Sequence, residues 1–158
     1  MRTINNITIH CSAGYSGIES MKRFWHQKLG WRSPGYHIVV DLDAKIHLMH
    51  PLEKPSNGVK GHNGDNINIS YIGGVDQNDY SKALDTRTEA QKQSLIVAIF
   101  YVIGFLKAYQ DHIPDIKGHR DFSPDQNNDG IISAWERIKE CPSFDAIKEY
   151  QWITDMYK

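Results

Sequence analysis

The chain has 158 residues and a mass of 18.1 kDa, which suits one ordinary domain burying about two-thirds of its unfolded surface. Its composition, 40% hydrophobic and 23% charged, is typical of a folded globular chain and excludes intrinsic disorder. With 18 Lys and Arg against 19 Asp and Glu, the formal net charge of -1 provides no field that would hold a polyanion. Nucleic acids and anionic membranes are therefore not expected partners.

Neither an export signal nor a membrane span is predicted. Residues 1–12 include Asn5 and Asn6 and contain no continuous apolar segment, unlike a signal peptide. The longest apolar run, 95–106, has 12 residues, fewer than the roughly 20 that span a bilayer, and predicts a buried helix. The two cysteines, Cys11 and Cys141, are too few for a disulfide scaffold. A single disulfide between them is one alternative, and metal binding or burial in the core is the other.

The first predicted elements are a strand and a helix. Apolar and polar residues alternate over 7–12, which predicts a strand with two different faces and sets His10 and Cys11 on opposite sides. Ser16 and Glu19 form a capping box ahead of a helix predicted over 17–29. The buried side of this helix is assigned to two aromatic residues, Phe24 and Trp25.

A hairpin and a third strand follow. Runs 36–41 and 45–49 flank a turn at 41–44, and a further strand is predicted over 67–72. Alternation along the first run places Tyr36 and His37 on opposite faces, so His37 points away from any site that Tyr36 faces.

Helices dominate the second half. Thr86 and Glu89 make a second capping box before a long helix over 87–109, whose second half is apolar nearly all round and must lie against a sheet. A short strand at 115–117, a short helix at 133–139 and a closing helix at 143–156 with Ser143 as N-cap complete the chain. Alternating strands and helices predict an α/β fold with a helix-packed sheet.

Three metal-ligating residues stand out: His10, His119 and Cys141. Imidazole and thiolate are ligands that zinc favours, and three protein ligands leave an open position, as in catalytic zinc sites. Cys141 also precedes a predicted helix start, where the helix dipole would favour the thiolate. Because these residues are far apart in sequence, each alone is equally compatible with a strand-end polar residue, a hydrogen-bonded histidine or a small buried hydrophobe.

Five short sequences surround these residues in a fixed order: TIHCSA at 8–13, GYHIVV at 35–40, IGG at 72–74, GHR at 118–120 and KECPSFD at 139–145. Together they resemble the type-2 N-acetylmuramoyl-L-alanine amidases, a zinc family that includes phage lysozyme-amidases and peptidoglycan recognition proteins. The resemblance covers nearly the whole chain. It implies a single domain over 1–158 with a central mixed β-sheet flanked by helices.

The resemblance also implies an activity, hydrolysis of the amide between the lactyl group of N-acetylmuramic acid and L-alanine in bacterial peptidoglycan. His10, His119 and Cys141 match the zinc ligands, and Tyr36 and Lys139 match the two catalytic side chains. Zinc-bound water with a pKa of about 7 would supply the nucleophile. Tyr36 and Lys139 would stabilise the oxyanion or move the proton, although a packed tyrosine and a solvated lysine are the alternatives.

Peptidoglycan is thus the expected partner, and the route to it must suit a chain without an export signal. We expect synthesis in the cytoplasm and release to the wall by holin-type lysis, as for a phage endolysin, or by other export. The alternative function is a non-catalytic peptidoglycan-binding module of the same fold, which the complete ligand set argues against. A metalloprotease or nucleobase deaminase is disfavoured because neither HExxH nor PCxxC occurs.

Two local departures from the phage pattern affect the expected groove and core. Phage members place a histidine shortly before a KGYN sequence, whereas residues 57–63 here read NGVKGHN. A side chain near the substrate groove is therefore either missing or replaced by His62, and His62 and Asn63 are candidate substrate-binding residues. Tyr71 is bulkier than the residue that the family commonly places in its strand.

The largest departure lies in segment 122–138, because Cys141 follows His119 by 22 positions where phage members have a short loop. Its residues 125–136 fit the calcium loop of an EF-hand, with Gly130 at the sharp turn, and predict Ca²⁺ as a second cofactor. The predicted ligands are Asp125, Asn127, Asp129, the Ile131 carbonyl, Ser133 through water and Glu136. Pro124 opposes an incoming helix, and a turn capping the helix at Ser133 is the alternative.

Overall fold

A computed structural model describes all 158 residues. A five-stranded mixed sheet forms its centre, in the order β3-β2-β4-β1-β5. The strands are β1 (Asn6–Cys11), β2 (Ile38–Val40), β3 (Ile46–Leu48), β4 (Asn66–Tyr71) and β5 (Asp115–Gly118). Strand β1 is parallel to β4 and β5, β2 is parallel to β4, and only the hairpin partner β3 is antiparallel. The predicted mixed α/β sheet is confirmed.

Three α-helices accompany the sheet: α1 (Ile18–Arg23), α2 (Glu89–Leu106) and α3 (Ala146–Asp155). A π-helical turn, Phe24–Lys28, continues α1. Short 3-10 turns occupy Asn63–Asp65, His119–Phe122 and Ala134–Glu136.

The main core lies between the sheet and helices α2 and α3. Alternate residues of β1 and β4, the isoleucines among them, share a 21-residue buried cluster with nine side chains from the two helices: Leu95, Ala98, Ile99, Val102, Ile103, Leu106, Ala146, Tyr150 and Ile153. By length and a hydropathy of 1.2, α2 is apolar enough to cross a membrane, but a core helix meets the same test. Its packing against the sheet identifies it as the buried helix that the sequence predicts.

The first helix differs from the prediction at its cap and on its buried side. Gly17 is the N-cap and no side chain caps the helix, so the Ser16–Glu19 capping box is wrong. Trp25 is buried, whereas Phe24 is 48% exposed. Adjacent helical residues point about 100° apart, so one aromatic side chain faces the sheet and its neighbour faces solvent.

The cap of α2 is also misplaced in the prediction. Thr88, two residues after Thr86, forms the capping box with Gln91. The Thr86 hydroxyl instead accepts the Gly74 N–H at 2.8 Å, so it holds the loop that follows β4. Thr86 therefore makes a tertiary hydrogen bond, and Thr88 caps the helix instead.

The two short C-terminal helices of the prediction shrink in the structure. Segment 133–139 contains only the 3-10 turn Ala134–Glu136. Helix α3 begins at Ala146 with Asp145 as its N-cap, because Ser143 has a φ of +73° and its hydroxyl donates to the Gly74 carbonyl at 2.7 Å. The predicted Ser143 cap is therefore wrong, and Cys141 lies in a loop well before the helix.

Candidate metal centre and catalytic groove

His10, His119 and Cys141 come together at one edge of the sheet. Strands β1 and β5 are parallel and pair Ile9 with Gly118, so the residues that follow each pair, His10 and His119, become neighbours with ring centroids 4.8 Å apart. The ligating atoms of the three residues all lie within 4.8 Å of one another. This is the only group of three or more His, Cys, Asp or Glu side chains in the molecule placed to hold a metal ion.

Two of the candidate ligand atoms, on His10 and Cys141, have a defined orientation. Nδ1 of His10 lies 3.8 Å from Sγ of Cys141, while Nε2 of the same ring bonds Oδ1 of Asn68 at 2.8 Å. The backbone N–H of Cys11 donates to Sγ of Cys141 at 3.3 Å. Nδ1 of His10 and Sγ of Cys141 therefore face the same small space.

The protonation states of the cluster suit zinc. Burial, with the neighbouring His119, lowers the pKa of His10 to about 3, and burial together with the charge of Lys139 lowers the pKa of His119 to about 4. Both rings are thus neutral at pH 7, as a metal ligand must be. Two neutral imidazoles and one thiol in convergence fit a zinc ion with an open fourth position.

The thiol of Cys141 departs from the prediction. Burial raises its pKa, whereas the sequence predicted that a helix N-terminus would lower it. Helix α3 starts only at Ala146, so its positive end does not act on the thiol. Forming the thiolate at neutral pH requires a bound cation, and metal binding would release this proton.

Tyr36 borders the cluster. Its ring packs against His10 with centroids 4.9 Å apart and meets the buried Trp25 edge-on at 5.5 Å. Its hydroxyl lies 3.5 Å from the Cys11 carbonyl, and burial raises its pKa well above the ordinary value, so it stays protonated. His37 does not bond the cluster: its Nε2 lies 2.9 Å from the Lys54 carbonyl, and its Nδ1 accepts the Asn68 backbone N–H at 2.9 Å. Tyr36 and His37 both precede β2, so strand alternation does not set them on opposite faces as predicted.

A groove of about 690 Å³ opens beside His119. Lys139, His62 and Asn63 line it together with Trp31, Phe122 and Ile138. The His62 ring packs on Phe122 with centroids 4.8 Å apart, and Asn63 Oδ1 accepts the Val59 N–H at 2.9 Å, which shapes the loop. The structure thus brings the predicted catalytic lysine and both candidate substrate-binding residues to one groove.

The predicted calcium loop is closed by its own backbone. Glu136 is buried, and its carboxylate accepts N–H groups from Gln126 and Ser133, both at 2.7 Å. Asp125 accepts the Gly130 N–H at 2.8 Å, and Asn127 donates to Asp129. The residues with candidate side-chain or carbonyl oxygens, Asp125, Asn127, Asp129, Ile131, Ser133 and Glu136, form a capped turn. Nothing in the structure supports calcium there.

Two residues of the site were missed by the sequence reasoning. Asn68 bonds His10, and its signal is the polar alternation of Asn66, Asn68 and Ser70 in an otherwise isoleucine-rich central strand. Phe122 forms one wall of the groove, and no local pattern distinguishes it from a core phenylalanine.

The fold and the cluster define a single-domain α/β protein with a His-His-Cys site at the edge of a mixed sheet. A sequence model of the N-acetylmuramoyl-L-alanine amidase family matches residues 1–143. The chain belongs to this family, which confirms the resemblance seen in its motifs.

Relatives and solved structures agree. The endolysin of Enterobacteria phage T3 is 28% identical over 147 residues, covering 90% of this chain and 83% of that protein. A Haemophilus influenzae protein of unassigned function is 39% identical over 112 residues, covering 71% of this chain and 88% of its own length. The endolysin amidase LysCS of Clostridium intestinale superposes with a TM-score of 0.70 at 21% identity, covering 98% of this chain and 85% of that one. Drosophila PGRP-LB superposes with a TM-score of 0.67 at 19% identity, covering 98% of this chain and 84% of that one. Both solved structures have the same fold as this chain.

Proposed function

We propose that this protein is a zinc-dependent N-acetylmuramoyl-L-alanine amidase that cleaves the bond between the lactyl group of N-acetylmuramic acid and L-alanine. The observation that carries the proposal is the convergence of His10, His119 and Cys141 within 4.8 Å beside an open groove. Family membership indicates the reaction class, and the three candidate ligands would bind the zinc ion that this reaction needs. A non-catalytic module has no need of a complete set of three ligands.

His10, His119 and Cys141 would hold the zinc ion, which when bound supplies Lewis acidity and activates water for attack on an amide. The protein side chains carry the remaining tasks. Tyr36, protonated and packed on His10, would donate a hydrogen bond to the oxyanion of the tetrahedral intermediate. Lys139 lines the groove next to His119, and its positive charge would stabilise the same oxygen or assist proton transfer to the leaving amine.

Peptidoglycan is the proposed ligand of the groove. The phage T3 and T7 relatives are endolysins, and a peptidoglycan recognition protein of the same fold is described in complex with tracheal cytotoxin. In this chain the aromatic face of Trp31 and the polar side chains of His62 and Asn63 would contact sugar and stem peptide. We propose cytoplasmic synthesis and holin-type release, as for an endolysin.

The test combines metal content with product analysis. Purified protein should contain one zinc ion per chain, and it should release new L-alanine amino groups from peptidoglycan without producing new reducing sugar ends. Removal of zinc by a chelator should abolish release, and added zinc should restore it. Tight binding of peptidoglycan without release, in zinc-loaded protein, would instead identify the non-catalytic binding module.

A further inference from the structure

We propose that Asn68 is a positioning residue for the metal centre, acting through His10. The inference rests on the proposed zinc function and concerns what holds its ligand in place. Asn68 is fully buried in the middle of β4, opposite Thr8 of β1 in the parallel register. Its Oδ1 lies 2.8 Å from Nε2 of His10, on the side of the ring remote from Cys141.

The direction of this hydrogen bond is set by a chain of buried groups that ends on two acceptors. The Ser56 hydroxyl lies 3.2 Å from the Gly35 carbonyl and 3.0 Å from Nδ1 of His37, which accepts the Asn68 backbone N–H. Both neighbours are acceptors, so the Ser56 hydrogen is donated to one of them and not to Asn68. The Ser56 oxygen then accepts from Nδ2 of Asn68 at 2.9 Å. With its Nδ2 committed to Ser56, Asn68 presents Oδ1 to His10, and the His10 Nε2–H must be the donor.

A second contact keeps the amide in this orientation. Nδ2 of Asn66 donates to Oδ1 of Asn68 at 3.1 Å, and Thr8 donates to Oδ1 of Asn66 at 2.8 Å. The loop backbone also closes on the amide, because a Cβ at Gly58 would lie 2.2 Å from Cγ of Asn68. The absence of a side chain at position 58 leaves room for the amide.

The consequence for His10 is a fixed tautomer. A hydrogen on Nε2 leaves the lone pair of Nδ1 free on the side that faces Cys141. Histidines that bind metals usually donate their other N–H to an acceptor that orients the ring, and removal of that acceptor typically weakens metal binding about 10- to 100-fold. Four polar side chains are buried between the two central strands and a loop: Thr8, Asn66, Asn68 and Ser56. Their burial is unfavourable unless each is hydrogen-bonded, as all four are here.

The test measures zinc affinity and the His10 tautomer in the full chain. Asn68→Leu keeps the volume of the side chain and removes the acceptor, so the zinc dissociation constant from chelator competition should rise about 10- to 100-fold. Nitrogen-15 NMR of the histidine rings should show loss of the Nε2–H form in metal-free protein. Asn68→Asp keeps an acceptor at the same place and should recover most of the affinity.

Gln91→Met is the matched control, since Gln91 is also a buried amide but bonds the Asp41 and Ile72 carbonyls away from the cluster. It should lower stability without changing zinc affinity. A folded Asn68→Leu protein with wild-type zinc affinity and tautomer would overturn the inference. If Asn68→Leu does not fold, Ser56→Ala decides, because it removes the acceptor to which Nδ2 of Asn68 is committed. Unchanged affinity and tautomer there would overturn the inference equally.

A further variant separates this inference from the proposed metal centre. His10→Ala should lose zinc. If it binds zinc like the wild type, the metal centre itself is wrong. If His10→Ala loses zinc while Asn68→Leu retains it fully, only the role of Asn68 is wrong.

Discussion

Burial sets the charge of each side chain around the metal centre. His10 and His119 are held neutral, Tyr36 is held protonated, and Cys141 is a thiol until a cation replaces its proton. These states divide the candidate site into groups suited to binding a metal and groups suited to donating hydrogen bonds. Single substitutions should therefore separate metal binding from catalysis.

Cys141→Ser should lose zinc and amidase activity together, because a hydroxyl does not replace a thiolate as a zinc ligand. The measurement is zinc content by atomic absorption alongside amine release from peptidoglycan. Cys11→Ala is the control: the backbone N–H of Cys11 that donates to Cys141 is retained, so zinc should stay bound. Retention of stoichiometric zinc in Cys141→Ser would contradict the assigned ligand set.

Tyr36→Phe and Lys139→Ala should lower kcat while zinc stays bound, since both groups act on the reacting amide. Loss of one preorganised donor typically reduces the rate about 10²- to 10³-fold. Steady-state kinetics on a soluble muropeptide, with zinc content measured in the same samples, gives the comparison. Turnover near that of the wild type in both variants would refute the two assigned roles.

At the scale of elements, segment 122–138 connects two of the candidate metal ligands, His119 and Cys141. The segment follows His119, and the buried Glu136 bonds its backbone at two points. Beyond it, Lys139 lies in the groove and Cys141 lies in the cluster. Glu136 receives charge-assisted hydrogen bonds from the backbone at both ends of the turn, which makes it the internal anchor of the segment. The same carboxylate is the one that the calcium prediction requires as a bidentate ligand.

Glu136→Gln should destabilise the protein by about 1–3 kcal/mol, because an amide has only one acceptor oxygen and one partly buried backbone N–H loses its partner. Thermal or urea unfolding measures the change. Glu140→Gln, a half-exposed carboxylate with one long bond to Arg137, is the control and should change stability by less than about 0.5 kcal/mol. Equal effects of the two substitutions would show that Glu136 is not the anchor.

At the scale of the whole molecule, one sheet separates an apolar core from a polar buried layer. The isoleucines of β1 and β4 face α2, while Thr8, His10, Asn66 and Asn68 face the opposite side and remain buried. His37 belongs to this second layer, where burial lowers its pKa to about 4 from an unfolded value near 6.5. The unfolded chain thus binds a proton at His37 before the folded chain does.

This difference predicts a loss of stability in acid. The contribution of His37 is complete above about pH 6.5, decreases as the pH falls, and is gone near pH 4; between pH 7 and pH 5 the loss is about 2 kcal/mol. Urea unfolding of wild type and His37→Gln at both pH values measures it. The wild type should lose about 2 kcal/mol more than the variant, and parallel losses would contradict the buried neutral state of His37.

Much of the molecule is determined by the sequence alone. Alternation and turn residues place the hairpin and the strands, the apolar run places α2, and the ordered motifs identify the family with its candidate ligands and catalytic pair. These features are local, since strand alternation and turn chemistry act within a few residues. The motifs carry the site because each ligand lies at the end of a recognisable segment.

Other features depend on contacts between distant segments. Thr86 and Ser143 both bond Gly74, so neither caps the helix that its local sequence suggests. The pKa of Cys141 rises with burial, opposite to the direction inferred from a nearby helix start, and the EF-hand-like loop closes on its own amides. The partnership of His10 with Asn68 joins residues 58 positions apart through the register of two parallel strands. Local pattern specifies which segments form, and the packing of those segments decides which hydrogen bonds and charges each side chain keeps.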